Sequence, residues 1–425
     1  RSHPAPRTWL QALFLSLLLG LLAGCGGGGG GGSPAPSPAP SAGSTSSGTT
    51  TSGGTSVSPG PNVVAVMLDG GTDGSAFNSP FVTVTVCTPG TQTCQVIDHV
   101  LVDTGSSGLR VLASALGATA LPAEPAPVSG ALAECAQFAS GFSWGAVRRA
   151  DVKIGGESAA NLPVQVVNDT GTAYAQVPSG CSSTGTNFGV GSGAKGLLGV
   201  GLEPQDCTLC ATRPSLGVYY ACDASGNCSS TLAPLSSQLR QPAAGFATDN
   251  NGVALVLPTV PATGATSLAG NLVFGIGTRD NNALGSAAIY GADAQGNFST
   301  TYKGTKYTNS FLDSGSNGLF FPDASIPQCS GSSGFYCPPQ PLSLTATING
   351  AASPTGVGGT SSPVAFTVDS LTSLDASATV GSVGGSTAGL GNAFDWGLPF
   401  FFGRTVFVAL RGASTPAGPG PYWAF

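Results

Sequence analysis

Apolar and polar positions alternate with period two over much of the chain. Phe81 to Val86 reads FVTVTV, the pattern of a half-buried strand; CTPGTQTC then reads as a hairpin-like turn, and QVIDHVLV leads on to Asp103. VKIGG, PVQVVN, VALVLP, NLVFGIG, LTATI and RTVFVAL repeat the theme between clusters of Gly, Pro and Asn, which favour turns. Helical periodicity is thin, with SSQLRQ near 236–241 and ASAL near 113–116 as the candidates. The pattern predicts an all-β fold with few short helices, beginning near Asn62.

One stretch recurs. LVDTGSSGLRVLAS (101–114) and FLDSGSNGLFFPDAS (311–325) share a plan: apolar residues, Asp, a hydroxyl residue, Gly, Ser, a small polar residue, Gly and an apolar run. Each is followed at a distance by an apolar-Gly element, Gly196-Leu197-Leu198-Gly199-Val200-Gly201 after the first and Trp396-Gly397-Leu398-Pro399-Phe400 after the second. The duplication implies one unit used twice with one Asp in each copy. Two facing carboxyls cannot both ionise at low cost, so one becomes an acid and the other a base around a shared water. Such a pair can activate the water against a peptide carbonyl while protonating the carbonyl oxygen. Asp103 and Asp313 are the candidate catalytic residues. Gly105 and Gly315 allow the turns close approach, and Thr104, Ser106, Ser314 and Ser316 supply hydroxyls to fix them. The alternative is that both aspartates only stabilise their own turns.

Composition narrows the class. The chain is 41% hydrophobic but only 8% charged, with 65 Gly, 32 Pro and a net charge of −6. That profile suits an extracytoplasmic β protein and excludes a basic nucleic-acid surface. Arg1 and Arg7 precede an apolar run from Trp9 to Leu22 that ends in Leu22-Ala23-Gly24-Cys25. This resembles the lipobox of bacterial lipoproteins, which implies a signal peptide over 1–24 and a lipid on Cys25. An ordinary signal peptide or a membrane anchor is the alternative. Residues 25–61 continue as Gly, then Pro-Ala-Ser, then Ser/Thr/Gly, without a charged side chain. They are expected to form an unfolded tether reaching on the order of 30–35 Å. Gly26 lacks an acidic side chain, which favours the outer membrane.

Cysteine usage agrees with an oxidising compartment. Of 11 Cys, setting Cys25 aside leaves an even set. Cys87/Cys94 and Cys329/Cys337 are near neighbours, and Cys135 could reach Cys181. Cys207, Cys210, Cys222 and Cys228 form a cluster that suits disulfides, or less readily zinc. No cofactor or metal is expected. The single His beyond the signal, His99, is too little for a Ser-His-Asp site or a His-based metal site.

Over residues 62–425 the sequence resembles the pepsin-like aspartic proteases, in which two lobes each contribute one Asp-Thr/Ser-Gly turn. FASGFSWGAVRRADVKIGG (138–156) resembles the flap hairpin, GNLVFGIGTRDNNALG (270–285) the strand near the lobe boundary, and PYWAF (421–425) the closing strand. The resemblance extends to a bacterial lipoprotein family of unknown function with the same Asp-Thr-Gly-Ser-Ser-Gly-Leu-Arg signature. It implies a bilobal double β-barrel with pseudo-twofold symmetry: a first lobe over 62–275 with a flap at 135–156, and a second over 276–425. Phe138, Trp144 and Arg110 fall at flap and cleft positions. Phe138 stands where the family has Tyr, Arg110 where it has that residue's Trp partner, and Leu398 where an acidic residue is common. Arg110 could stack on the Phe138 ring or place its charge near the dyad. The implied function is peptide-bond hydrolysis by a monomer anchored in the bacterial envelope and acting on a peptide or unfolded protein segment. The alternatives are a noncatalytic peptide- or envelope-binding lipoprotein and a purely structural surface lipoprotein.

Overall fold

The computed structural model describes residues 57–425 apart from 140, 189–192, 332–333, 353–355, 374–377 and 388–390. The expected signal segment 1–24, Cys25 and residues 26–56 of the expected tether lie outside the described residues. Strands dominate, and the helical segments among the described residues are turns of three or four residues. The first half runs β1 (Val63–Leu68), β2 (Pro80–Cys87), β3 (Cys94–Asp103), β4 (Ser107–Leu112), β5 (Ala131–Phe138), β6 (Gly141–Ile154), β7 (Glu157–Val167), β8 (Thr186–Asn187) and β9 (Gly196–Val200). A small hairpin follows, β10 (Tyr219–Cys222) with β11 (Cys228–Ser230), and then β12 (Gly252–Leu257), β13 (Leu268–Phe274) and β14 (Ile289–Gly291). The second half holds β15 (Phe298–Tyr302), β16 (Thr305–Asp313), β17 (Leu319–Phe320), β18 (Leu342–Asn349), β19 (Ser361–Val368), β20 (Gly384–Gly385), β21 (Ala393–Gly397) and β22 (Arg404–Ala409).

Sequence alternation translates directly into faces. In β2 the side chains of Phe81, Val82, Val84 and Val86 are buried while Thr83 is exposed. The 14-residue β6 pairs with β5 and β7, and its far end turns onto β2 through Thr85↔Lys153 and Cys87↔Asp151. This closes the first half into a barrel-like sheet.

β1 pairs with β13, β13 with β12, and β12 with β22, whose other edge takes the C-terminal strand Tyr422–Ala424. Strands from both halves therefore share one sheet. The largest apolar cluster is likewise common, running from Leu68, Val102 and Leu198 through Phe274 to Leu312, Phe321 and Trp396.

The repeat is structural. β3 and β9 are parallel, β4 lies antiparallel to β9, and β4 continues onto β7 in parallel. In the second half β16 and β21 are parallel, β17 lies antiparallel to β21, and β17 continues onto β20 in parallel. Each apolar-Gly strand is thus threaded between the two arms of an Asp turn. The registers match: Asp103 pairs with Gly199 and Asp313 with Gly397. A Cβ on Gly199 would lie 2.6 Å from the Ser107 nitrogen, and one on Gly397 2.0 Å from the Gly318 oxygen, so neither position admits a side chain.

Five disulfides form: Cys87–Cys94, Cys135–Cys181, Cys207–Cys210, Cys222–Cys228 and Cys329–Cys337. The four clustered cysteines therefore pair locally. The expectation of a helix over SSQLRQ is corrected. Gln238 and Gln241 turn their side-chain amides to the carbonyls of Ala233 and Gly201, and Arg240 bridges to Gln205 as an extended residue.

Candidate active site

Each Asp turn is built from its own sequence. The Gly105 and Gly315 amides donate to Asp103 Oδ1 and Asp313 Oδ1, both at 2.8 Å. The Ser106 hydroxyl donates to Asp103 Oδ2, and the Ser316 hydroxyl to Asp313 Oδ2 at 2.9 Å. The strand after each paired glycine buttresses its turn, Gly201 N donating to Ser106 O at 2.8 Å and Leu398 N to Ser316 O at 2.7 Å.

The turns are then locked to one another. Thr104 Oγ1 donates across to Leu312 O at 2.9 Å, and Ser314 Oγ donates back to Val102 O at 2.7 Å. The Ser314 amide donates to Thr104 Oγ1 at 2.9 Å, and the Thr104 amide to Ser314 Oγ at 3.1 Å. Four crossed bonds between residues 208 to 212 positions apart fix the halves face to face.

The result is a carboxyl pair. Asp103 and Asp313 face each other closely enough for each carboxyl to act on the other's ionisation. A Cβ on Gly105 would lie 2.9 Å from Asp313 Oδ1 and 3.1 Å from Asp103 Oδ1, and one on Gly315 would meet the same two oxygens at 3.1 and 2.8 Å. Burial lifts both carboxyls above the ordinary range. Asp313 is pushed up well beyond it, because the negative charges of Asp103 and Asp395 also oppose its ionisation. Asp103 is restrained by hydrogen bonds from Ser106, Asp313 and the Gly105 amide, and by the positive charge of Arg110. The two carboxyls therefore titrate as a coupled pair, and their surroundings favour the proton on the Asp313 side and the charge on the Asp103 side. Both side chains are closed from solvent, at 1% and 0% exposure.

The flap-like hairpin β5–β6 pairs from Ala133↔Ala146 to Phe138↔Gly141. A strap over residues 178–188 holds its tip. The Cys135–Cys181 disulfide, Gln137 Nε2 on Gly180 O and Cys181 O, Thr184 Oγ1 on Gly141 O, and Phe188 N on Phe142 O at 2.6 Å all converge there. Trp144 packs edge-on to Tyr220 in the hairpin's own apolar cluster and donates its indole N–H to Tyr174 O at 2.9 Å. Phe138 is buried with Phe81, Leu101, Phe188 and Leu197.

Arg110 does not stack on Phe138. Its Nη2 meets Glu134 Oε1 at 2.5 Å and Asp206 Oδ2 at 3.8 Å, while Nη1 donates to Ser107 O at 3.0 Å. Tyr219 completes this buried group by donating to Asp206 Oδ1 at 2.7 Å. Burial and the charge of Glu134 raise Asp206 well above an ordinary carboxyl.

Reading the sequence by motif missed Glu134, Asp206 and Asp395. For Asp395 a signal existed: aligning the two apolar-Gly elements on Gly199 and Gly397 sets it opposite Leu197. Among the described residues no three His, Cys, Asp or Glu are grouped to hold a metal ion. A surface groove of about 650 Å³, lined by Arg279, Asp280, Leu284, Ile289 and Pro416, shares no residue with the dyad.

Two threaded Asp turns joined by crossed hydroxyl bonds, within barrel-like sheets, define the pepsin-like bilobal fold. The chain belongs to the family described as protein of unknown function (DUF3443), whose model matches residues 58–425. Among solved structures it is similar to the aspartic proteinase from Irpex lacteus, at 16% identity and a TM-score of 0.45 over 85% of this chain and 96% of that one. No curated protein matches it.

Proposed function

We propose that the chain is an aspartic endopeptidase acting on peptide or unfolded protein segments. The observation that carries this reading is the buried, facing pair Asp103 and Asp313, whose Oδ1 atoms both lie against Gly105 and Gly315 at the seam. In the reaction, Asp103 as base takes a proton from a water molecule whose oxygen attacks the scissile carbonyl carbon. Asp313 as acid gives its proton to the carbonyl oxygen, forming a neutral tetrahedral diol. Collapse breaks the C–N bond as Asp103 returns its proton to the leaving nitrogen and Asp313 recovers one from a diol hydroxyl. The crossed bonds of Thr104 and Ser314 keep the carboxyls aligned without reorganisation. The test is cleavage of an unfolded protein from acid to neutral pH. Asp103→Asn and Asp313→Asn are each expected to lower kcat by at least about 10³-fold while leaving thermal unfolding nearly unchanged. Wild-type protein without turnover over that range would refute the reading.

The second reading is a noncatalytic peptide- or envelope-binding protein. The near-complete burial of both carboxyls favours it. Peptide binding without turnover, insensitive to both Asn substitutions, would distinguish it.

The Leu22-Ala23-Gly24-Cys25 motif supports a lipid tether at Cys25 and placement at the outer membrane of a bacterial envelope. A labelled fatty acid is expected to enter the wild type and not Cys25→Ala, with the variant released from membranes. Equal labelling of both would exclude this anchor.

A further inference from the structure

The register that sets Asp103 against Gly199 and Asp313 against Gly397 also sets Leu101 against Leu197 and Phe311 against Asp395. Directly paired residues, and residues two apart on a strand, share a face. Asp395 therefore stands on the face that carries Asp313, where the other half has Leu197. Leu197 is an ordinary core residue among Phe81, Leu101 and Phe138. Asp395 is equally buried, and neither of its carboxyl oxygens has a hydrogen-bond partner. Its neighbour Trp396 is satisfied, its indole N–H donating to Thr300 Oγ1 at 3.0 Å. Packing alone favours an apolar side chain at this position, so an orphaned carboxyl beside a carboxyl pair asks for another role.

The titratable groups that act on Asp395 are Asp103, across the seam, and Asp313, on the adjoining strand β16. On its other side β17 presents Phe320, and the positive charge of Arg110 is felt at Asp103 rather than here. Ser316 stands between the two carboxyls of its half. Its single hydroxyl hydrogen goes to Asp313 Oδ2, and the Asp395 anion would compete for it. Burial, and then the charge of Asp103, push the ionisation of Asp395 itself well above the ordinary carboxyl range; once it ionises, drawing that hydrogen away and adding negative charge nearby both make Asp313 hold its own proton more tightly.

We propose that Asp395 is a positioning residue of the dyad, a third carboxyl that keeps the shared proton on Asp313 and so fixes Asp313 as the acid and Asp103 as the base. The acid and base roles rest on the hydrolytic reading, whereas the position of the proton exists with or without turnover.

The test uses Asp395→Asn and Asp395→Leu in the full chain, the second restoring the residue of the other half. Two quantities are followed: the pH profile of kcat/KM, and the titration of aspartate carboxyl carbons by ¹³C NMR without substrate. Both variants are expected to release the Asp313 proton at lower pH, by on the order of one unit, with the alkaline limb of the profile moving down alongside it. Asp395→Glu should restore both. An Asp313 titration that stays in place in either folded variant overturns the proposal. So does an unmoved alkaline limb with a change confined to KM for substrates bearing Lys or Arg beside the scissile bond, which would make Asp395 a side-chain-binding residue. Should no substrate be turned over, the peptidase reading falls, and the NMR titration still decides the role of Asp395.

Discussion

Arg110 and Glu134 are among the most deeply buried charges in the chain, at 2% and 0% exposure. Their mutual attraction offsets a large desolvation cost, so losing one partner is far more damaging than losing both. Arg110→Met is expected to destabilise the fold by about 3–5 kcal/mol in chemical unfolding, while Arg110→Met combined with Glu134→Leu recovers most of the loss. The single change carries a second signature. Removing the positive charge weakens the ionised form of Asp103, so its proton is lost only at higher pH, and the acid limb of any activity profile moves upward. Sequence alone could not choose between the two placements offered for Arg110. Its partners are 24 and 96 positions away, and only strand register brings them together. Asp103, Asp313 and their hydroxyl supports were legible because the turn that presents them is local and occurs twice.

Strands were legible for the same reason: period-two alternation and turn residues are short-range signals. The order of Asp turn and apolar-Gly element was legible in both halves, whereas the pairs Asp103↔Gly199 and Asp313↔Gly397 emerge only as parallel ladder partners. The strap over 178–188 was legible only at Cys181, because the rest of this Gly/Ser-rich segment has no periodicity to betray what it grips. Replacing Cys135 and Cys181 together with Ser is expected to leave β12 and β13 as slow to exchange amide hydrogens as before, and to speed exchange markedly across 131–146. Unchanged protection at the hairpin would mean that the bonds from Gln137, Thr184 and Phe188 hold it without the covalent link.

In the whole molecule, the two halves are equivalent in threading and unequal in content. The first half carries the ion-paired Arg110 behind its aspartate, and the second carries the unpaired Asp395 beside its own. An arrangement with twofold symmetry in its backbone thereby becomes chemically unequal across its seam, with an ion-paired guanidinium on one side and a surplus carboxyl on the other. No single stretch of sequence displays this. It becomes visible when the two copies are laid over each other.

The sheet that β1, β13, β12 and β22 build in common has a mechanical corollary. Halves joined by a flexible hinge could swing apart like jaws, but here parting them means deforming a hydrogen-bonded ladder. Any opening of the seam therefore works against that ladder.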